Sequence, residues 1–279
     1  MNTDLLILIL IVAVLLAAGS AWPLLRRRRR RMLMRRPVPQ EWIDILNANL
    51  PVYRAVPAAL KPTLHALTHV LLAEKHFEGC GGLTLTHEMR LTIAATAAML
   101  LLNGRGRFFP RCQSILVYPD AYVAPNHVAA AGGFVIEEED ERLGESWRSG
   151  AVVISWDSLL AEAEDLRWGS LVLHEFAHQL DQECGEAEGI PLLEPAQAKR
   201  WQEVFGREYR RLVRKVERNR DDEVLDEYGA TDPAEFFAVA TETFFTQPRQ
   251  LKQVHGELYR ELARFYRVDP AAWDWGRQK

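Results

Sequence analysis

The 279-residue sequence is poor in cysteine and has no internal repeat. Its three cysteines, Cys80, Cys112 and Cys184, are far apart and odd in number. They exclude a disulfide framework and a Cys-x-x-Cys zinc site, and free thiols fit a reducing compartment best. Because no segment recurs at a fixed period, a repeat architecture is not expected.

Basic residues are fewer than acidic residues beyond the first 36 residues. The whole chain has 34 basic and 38 acidic residues, a net charge of −4. Eight of the arginines and one aspartate precede residue 37, which leaves 26 basic and 37 acidic residues and a net charge of −11 for 37–279. A nucleic-acid-binding domain usually has the opposite balance. We therefore expect no direct nucleic-acid partner.

Long apolar runs are also absent, except at the N-terminus. Residues 5–25 form an uncharged stretch of 21 residues, and arginines follow at 26–31, 35 and 36. A bilayer span needs about 20 residues, whereas a cleaved signal peptide has its basic residues before the apolar run. A buried helix is the other alternative, but six consecutive arginines at its end would be hard to pack. The pattern predicts a single-pass membrane anchor in 1–36.

The arginines also predict the topology of that anchor. Short arginine-rich flanks stay on the cytoplasmic side and meet anionic lipid headgroups. This places the chain in the inner membrane with the domain 37–279 facing the cytoplasm. Without an anchor, the whole chain would be cytoplasmic.

The domain 37–279 is predicted to be α+β, mostly helical with one small sheet. Apolar residues make up 48% of the whole chain, which is sufficient for a core. Strands are predicted at 114–118 and 151–156 from β-branched residues. Helices are predicted near 41–48, 61–76, 87–103, 157–165, 169–184, 196–218, 233–246 and 255–266.

The segment His174-Glu175-Phe176-Ala177-His178 carries the strongest functional signal. Two histidines four residues apart lie on one face of a helix and can bind one Zn²⁺, while the glutamate activates water. The alternative is a chance pattern of hydrogen-bonded core or surface histidines. The surrounding helix is largely apolar, where unpartnered histidines would be costly to bury, so zinc is favoured.

A third protein ligand is needed, because catalytic zinc normally has three and one water. No histidine follows His178 at metzincin spacing, so a carboxylate on a later helix is expected. Asp232 and Pro233 open such a helix, and Glu235 is modestly favoured as the ligand. Two alternatives remain. Glu235 has capping-box spacing from Asp232, and Glu242, two turns on, is a rival ligand.

Two segments together resemble the Mlc titration factor A family of zinc peptidases. They are HEFAHQLD at 174–181 and YGATDPAEFFA at 228–238. Weaker similarities at 82–95, 115–119 and 150–156 extend the resemblance from about Trp42 to the C-terminus. The core of that family is similar to the catalytic domain of anthrax lethal factor. The resemblance thus implies a zincin-like fold of the gluzincin type.

The resemblance also implies roles for individual residues. One Zn²⁺ per chain would be bound by His174, His178 and Glu235, with Glu175 as the general base. Tyr228 would lie near the metal and could donate to the oxyanion of the tetrahedral intermediate, although spacing alone also fits an ordinary loop tyrosine. Glu242 would then serve in packing or behind the ligands.

Two functions follow as hypotheses. The first is a zinc peptidase acting on a peptide or protein, with an aminopeptidase as one option. The second is a regulatory protein that sequesters a transcriptional repressor of sugar uptake, independently of hydrolysis. An extended substrate could pair with an edge strand, for which Val152 to Ser155 is the candidate, though a plain core strand fits equally well.

Overall fold

The structure is a computed structural model and describes residues 10–11, 21–102, 104, 107–120, 150–166, 169–185 and 188–276. The predicted span at 5–25 lies mostly outside these residues and stays a prediction. Within the described ranges, no helix combines the length and apolar character that crossing a bilayer requires.

The described residues form an α+β fold in which helices dominate. The three strands are β1 (His76–Gly79), β2 (Ser114–Tyr118) and β3 (Ala151–Ser155). The helices are α1 (21–33), α2 (Gln40–Asn49), α3 (Pro51–Ala55), α4 (Lys61–Glu74), α5 (His87–Met99), α6 (Trp156–Glu164), α7 (Leu171–Asp181), α8 (Pro195–Val216), α9 (Pro233–Thr246), α10 (Pro248–Val254) and α11 (Gly256–Tyr266). Short 3₁₀ turns lie at Gln182–Cys184, Glu227–Ala230 and Pro270–Ala272. The predicted fold class, mostly helical with a small sheet, is confirmed for this part of the chain.

One strand and two α-helices were not predicted from the sequence, and each is short. Strand β1 has four residues and one large apolar side chain, Phe77, so its sequence carries no strand pattern. Its parallel pairing with β2 makes it a strand. Helices α3 and α10 have five and seven residues, too few for a helical period to show, and each begins with a proline at N1, Pro51 and Pro248. The predicted helix 87–103 ends earlier, at Met99.

The described strands form one parallel sheet in the order β1-β2-β3. Ile115 pairs with Phe77 on one side and with Val152 on the other. Strand β3 therefore lies at an edge of the described sheet, while Val152 and Ile154 point into the core with at most 2% exposure. The strand combines both alternatives considered for it, since it lies at an edge and also packs on the core.

The core surrounds α5 and α7. Every residue of α5 from Leu91 to Met99 is buried, as expected for a central packing helix. Helix α7 contacts α5 and β3 through its apolar face and packs most extensively against α9. These contacts hold α7 and α9 side by side.

Helix α1 packs against the domain. Guanidinium groups of Arg26 and Arg30 each lie 2.7 Å from the carboxylate of Glu74 at the end of α4. Leu33 is 6% exposed and belongs to the core. The division between 1–36 and 37–279 stays a prediction, but these contacts join the described residues on its two sides.

The loop after α7 ties the end of that helix to the beginning of α9. The carboxylate of Asp181 accepts hydrogen bonds from the backbone N–H groups of Gly189 and Ile190, both at 2.7 Å. The Trp201 indole donates to the Gly189 carbonyl at 3.0 Å. Gly189 has φ +72°, and a Cβ at this position would lie 2.3 Å from the carbonyl oxygen of Pro233. Only glycine fits this close approach.

We predict that Gly189→Ala lowers the free energy of unfolding by about 2 kcal/mol or more, because it combines a left-handed φ with a backbone clash. Gly206→Ala is the matched control. Gly206 lies inside α8, and the nearest atom to its added Cβ belongs to the flexible Arg210 side chain at 3.3 Å. That change should be neutral or stabilising by up to about 1 kcal/mol. Urea denaturation of both variants checks this, and equal effects would contradict the close-approach argument.

Candidate metal centre

Helix α7 presents both motif histidines on one face. Ser170 is its N-cap, and the Ser170 hydroxyl accepts from the Leu173 N–H at 3.4 Å. The buried side of the helix, which includes Phe176 and Ala177, packs into the core. The side chains of His174 and His178 are 12% and 2% exposed, so both imidazoles are largely withdrawn from water. Such imidazoles need partners, and α9 supplies one.

Helix α9 brings Glu235 to the two imidazoles. Asp232 caps the helix, since its carboxylate accepts from the N–H groups of Ala234 at 2.7 Å and Glu235 at 2.9 Å. The Glu235 carboxylate lies 2.9 Å from His174 Nε2 and 3.4 Å from His178 Nε2. Its side chain therefore faces the histidines, whereas Asp232 performs the capping.

Three potential ligand atoms converge at this point. The two Nε2 atoms lie 3.2 Å apart, and one donor atom from each of His174, His178 and Glu235 lies within 4.8 Å of the other two. Two imidazole nitrogens and one carboxylate oxygen are a donor set that suits Zn²⁺. The side chains present thus fit the metal that the sequence predicts.

Glu242 lies on the other side of the His174 ring. Its carboxylate is 3.6 Å from His174 Nδ1 and accepts a hydrogen bond from the Ser170 N–H at 3.4 Å. Glu235 and Glu242 are seven residues apart on one face of α9, so they flank the same imidazole. A carboxylate at Nδ1 orients the ring and leaves Nε2 for a metal. In this geometry Glu242 lies at Nδ1 of His174 and Glu235 lies at Nε2, so Glu235 is the carboxylate closer to the second histidine.

Proximity sets the charges of this cluster. Burial alone would lower the pKa of His174, but hydrogen bonds and charges from Glu235 and Glu242 raise it well above its ordinary value. Burial would raise the pKa of Glu235, yet the two histidines lower it to about 2. Glu235 is therefore a carboxylate at neutral pH, which is the form that binds a cation.

Glu175 and Tyr228 are the other two predicted site residues. Burial raises the pKa of Glu175, and the charges of His174 and His178 act in the opposite direction. The Tyr228 ring lies 6.0 Å from the His174 ring between centroids. Burial and the charges of Glu235 and Glu175 raise the pKa of the Tyr228 phenol, so it keeps its proton at neutral pH. The half-buried Glu175, which follows His174 on α7, and the phenolic O–H donor of Tyr228 thus lie close to the two histidines.

Local packing fixes the position of Tyr228. The Asp226 carboxylate caps the 3₁₀ turn by accepting from the Tyr228 N–H at 2.8 Å. The next residue, Gly229, packs so closely on α9 and α8 that an added Cβ would lie 3.2 Å from Val239 and 3.3 Å from Leu212. The turn is therefore held against the helix that carries Glu235.

Glu162 is a half-buried acid near the centre that the sequence did not reveal. Its carboxylate accepts a hydrogen bond from the Leu171 N–H at 2.8 Å, at the first turn of α7. Burial, with the nearby charge of Glu242, raises its pKa to about 8. No sequence signal marks it, because it lies in an ordinary amphipathic helix and reaches α7 only through the fold.

Comparison with known proteins agrees with this geometry. The family model described as Glucose-regulated metallo-peptidase M90 matches residues 24–267. The chain belongs to this metallopeptidase family. The M90 match begins within α1, so it includes most of the arginine-rich helix as well as His174, His178 and Glu235.

Relatives of this M90 chain include proteins named Mlc titration factor A, the family that segments 174–181 and 228–238 resemble. The uncharacterised protein slr2042 of Synechocystis sp. is 41% identical over 240 residues, which cover 85% of this chain and 86% of that protein. Mlc titration factor A of Serratia proteamaculans is 29% identical over 234 residues, or 83% and 88% of the two chains. The Yersinia enterocolitica protein of the same name is 27% identical, covering 83% and 86%. The resemblance to the Mlc titration factor A family is confirmed.

The geometry predicts how each of the four side chains around the site affects metal binding. His174→Ala or His178→Ala should abolish zinc binding, and Glu235→Ala should weaken it strongly, because each removes one converging donor. Glu242→Ala should retain zinc with an affinity about 10- to 100-fold lower, since it removes only the support at Nδ1. Metal analysis with chelator competition measures this. If Glu242→Ala strips the metal and Glu235→Ala does not, the assignment of the two glutamates is reversed.

Proposed function

We propose that this M90 member is a zinc-dependent peptidase that hydrolyses peptide bonds with Glu175 as general base. The observation that carries the proposal is the convergence of His174, His178 and Glu235 beside the half-buried carboxylate of Glu175 and a protonated phenol. One zinc ion per chain would be held by the two imidazoles and the Glu235 carboxylate. When bound, it would polarise the scissile carbonyl and acidify a water molecule.

Glu175 suits the proton transfers of this reaction. It would accept a proton from the attacking water at a carboxylate oxygen and deliver the same proton to the departing amine. Its burial raises its pKa toward neutrality. A base whose pKa lies closer to the working pH both accepts and returns a proton readily.

Tyr228 suits the stabilisation of negative charge on the substrate. Its O–H would donate a hydrogen bond to the carbonyl oxygen as that oxygen becomes an oxyanion. The raised pKa keeps the proton on the phenol at neutral pH. The capped turn and the close packing of Gly229 would hold the donor in place.

Glu175→Gln is the sharpest test of the peptidase. The variant should retain zinc and fold, because the amide has the same shape and Glu175 is not a ligand. It should lose activity by about 10⁴-fold, since an amide cannot accept the proton. Hydrolysis of a peptide library, followed by mass spectrometry, measures the loss, with zinc content determined on the same sample. Full activity in this variant would rule out Glu175 as the base.

Tyr228→Phe should be milder. It should lower kcat by about 10²-fold and leave KM nearly unchanged, because the lost hydrogen bond strengthens only as the oxyanion develops. Steady-state kinetics on one cleaved peptide checks the separation. A rise in KM at unchanged kcat would indicate that Tyr228 binds substrate in its ground state instead.

A second candidate function rests on the names of the relatives. Several are called Mlc titration factor A, which suggests binding of a repressor rather than its cleavage. Such a protein would sequester a transcriptional repressor of sugar uptake without hydrolysis. Repressor binding that is retained in Glu175→Gln, in a protein that cleaves no peptide in its wild-type form, would favour this function. The inner-membrane anchor at 5–25, with a cytoplasmic domain, stays a prediction from the sequence.

A further inference from the structure

The arginines of α1 divide between two faces of the helix. Arg26, Arg29 and Arg30 face the domain. Arg30 donates from Nε and Nη2 to the two carboxylate oxygens of Glu74, both at 2.7 Å, and Arg26 donates to the same carboxylate at 2.7 Å. Arg29 donates to the Ala73 carbonyl at 3.3 Å. Three of the eight arginines are therefore used to attach α1 to α4.

This attachment is strongly polar and largely shielded from water. The Glu74 side chain is 5% exposed, and the Arg30 guanidinium also lies over the Phe108 ring, 4.3 Å from its centroid. Burial would raise the pKa of Glu74, but hydrogen bonds from Arg30 and Arg26 lower it to about 2. A bidentate pair of this kind orients both groups as well as attracting them. Helix α1 is thus held against the domain in one orientation.

The opposite face of α1 has no such attachment. Leu24, Arg27, Arg28 and Arg31 recur at intervals of three and four, so they share a helix face, and all four are exposed. We call them the outer face. No hydrogen bond or ion pair joins its three arginines to another side chain within the described residues.

Exposed apolar side chains are concentrated on the same segment. Of the nine large apolar side chains that are exposed in the described part, seven lie at or before residue 34. They include Leu24 on the outer face at 66% exposure and Met32 at 58%, whereas Trp22, at 67%, precedes Arg26 by four residues and lies on the side of Arg26. A nucleic acid would use the arginines but would leave these apolar groups in water. A helix that mixes arginines with exposed Trp, Leu and Met instead has the composition of one that lies at a lipid interface.

We propose that the outer face of α1 binds the surface of an anionic phospholipid bilayer, while the inner face holds the catalytic domain at a fixed orientation to that surface. The charges support this occupant, because residues 37–279 carry a net charge of −11 and would be repelled by the same bilayer. Long arginine side chains can reach phosphates while their stems lie beside apolar groups. The uncharged residues that precede α1 in the sequence favour the same location.

Arginine footprinting on the full chain tests the proposal directly. The protein is bound to phosphatidylcholine vesicles with or without about one third phosphatidylglycerol, treated with phenylglyoxal and analysed residue by residue by mass spectrometry. Arg27, Arg28 and Arg31 should react several-fold more slowly on the anionic vesicles only. Arg26 and Arg30 should react slowly on both, because Glu74 engages them. Equal reactivity of Arg27, Arg28 and Arg31 on the two vesicle types would overturn the proposal.

A matched pair of variants separates the two faces. Arg27→Gln/Arg28→Gln/Arg31→Gln and Arg26→Gln/Arg29→Gln/Arg30→Gln each remove three positive charges. Each arginine near an anionic surface contributes about fivefold to partitioning. For the first variant, the ratio of partitioning onto phosphatidylglycerol-containing vesicles to that onto pure phosphatidylcholine vesicles should therefore fall about 100-fold. The second variant should keep most of this ratio. Its amide exchange in α1 should be faster, because the attachment of α1 to Glu74 is lost.

Two outcomes would contradict specific binding of lipid by the outer face. An equal loss of lipid-dependent binding in both variants would mean that only total charge matters. Protection of Arg27, Arg28 and Arg31 by duplex DNA, but not by anionic vesicles, would assign the face to a nucleic acid instead. Footprinting is performed on bound protein, so its result does not depend on how tightly the full chain binds either vesicle.

Discussion

The arrangement of the centre depends on the packing of α7 against α9, which places the His174 imidazole between two carboxylates of one helix. Glu235 lies 2.9 Å from Nε2, and Glu242 lies 3.6 Å from Nδ1. Neither carboxylate would be stable at this depth without the imidazoles, and neither imidazole without the carboxylates, because buried charges need partners. The contacts between these imidazoles and carboxylates and the packing of the two helices therefore stabilise each other.

The surrounding structure holds these helices in register. Asp181 at the end of α7 binds the backbone of the following loop, and Gly189 in that loop touches Pro233 at the start of α9. Glu162 satisfies an N–H group at the first turn of α7. Acidic side chains thus fix both ends of α7, so the helix resists small displacements. A metal site would need this rigidity, because its ligands must be placed to within a few tenths of an ångström.

Local patterns were sufficient to predict the parts of the centre that lie on one helix. The spacing of His174 and His178 determines that they share a face, and Asp232 was recognisable as an N-cap from its neighbours. The choice between Glu235 and Glu242 was not local, because both lie on the same face of α9. The family resemblance favoured Glu235, and in the structure the position of α7 beside α9 separates the two, with Glu235 at Nε2 of His174 and Glu242 at Nδ1. The capping-box alternative for Glu235 had the right spacing, but the imidazoles are the stronger partners for its carboxylate.

Long-range contacts account for what the sequence did not predict. Strand β1 depends on its pairing with β2, and the attachment of α1 depends on Glu74, which follows it by more than forty residues. A run of arginines indicates a segment that faces solvent or lipid. No local pattern shows that Arg26 and Arg30 bind the buried carboxylate of Glu74. The helical periods and the buried strands, by contrast, predicted most of the fold, because burial imposes them locally.

We propose that the cluster of two histidines and one glutamate performs metal-dependent peptide hydrolysis. The most direct measurement compares the wild-type chain after zinc loading, after chelation and after reloading, with a broad peptide library as substrate. The loaded protein should cleave peptides, lose this activity on chelation, and recover it when about one equivalent of zinc per chain is restored. A protein that binds this zinc and cleaves no peptide, or that cleaves equally well when stripped of metal, would not be a zinc peptidase.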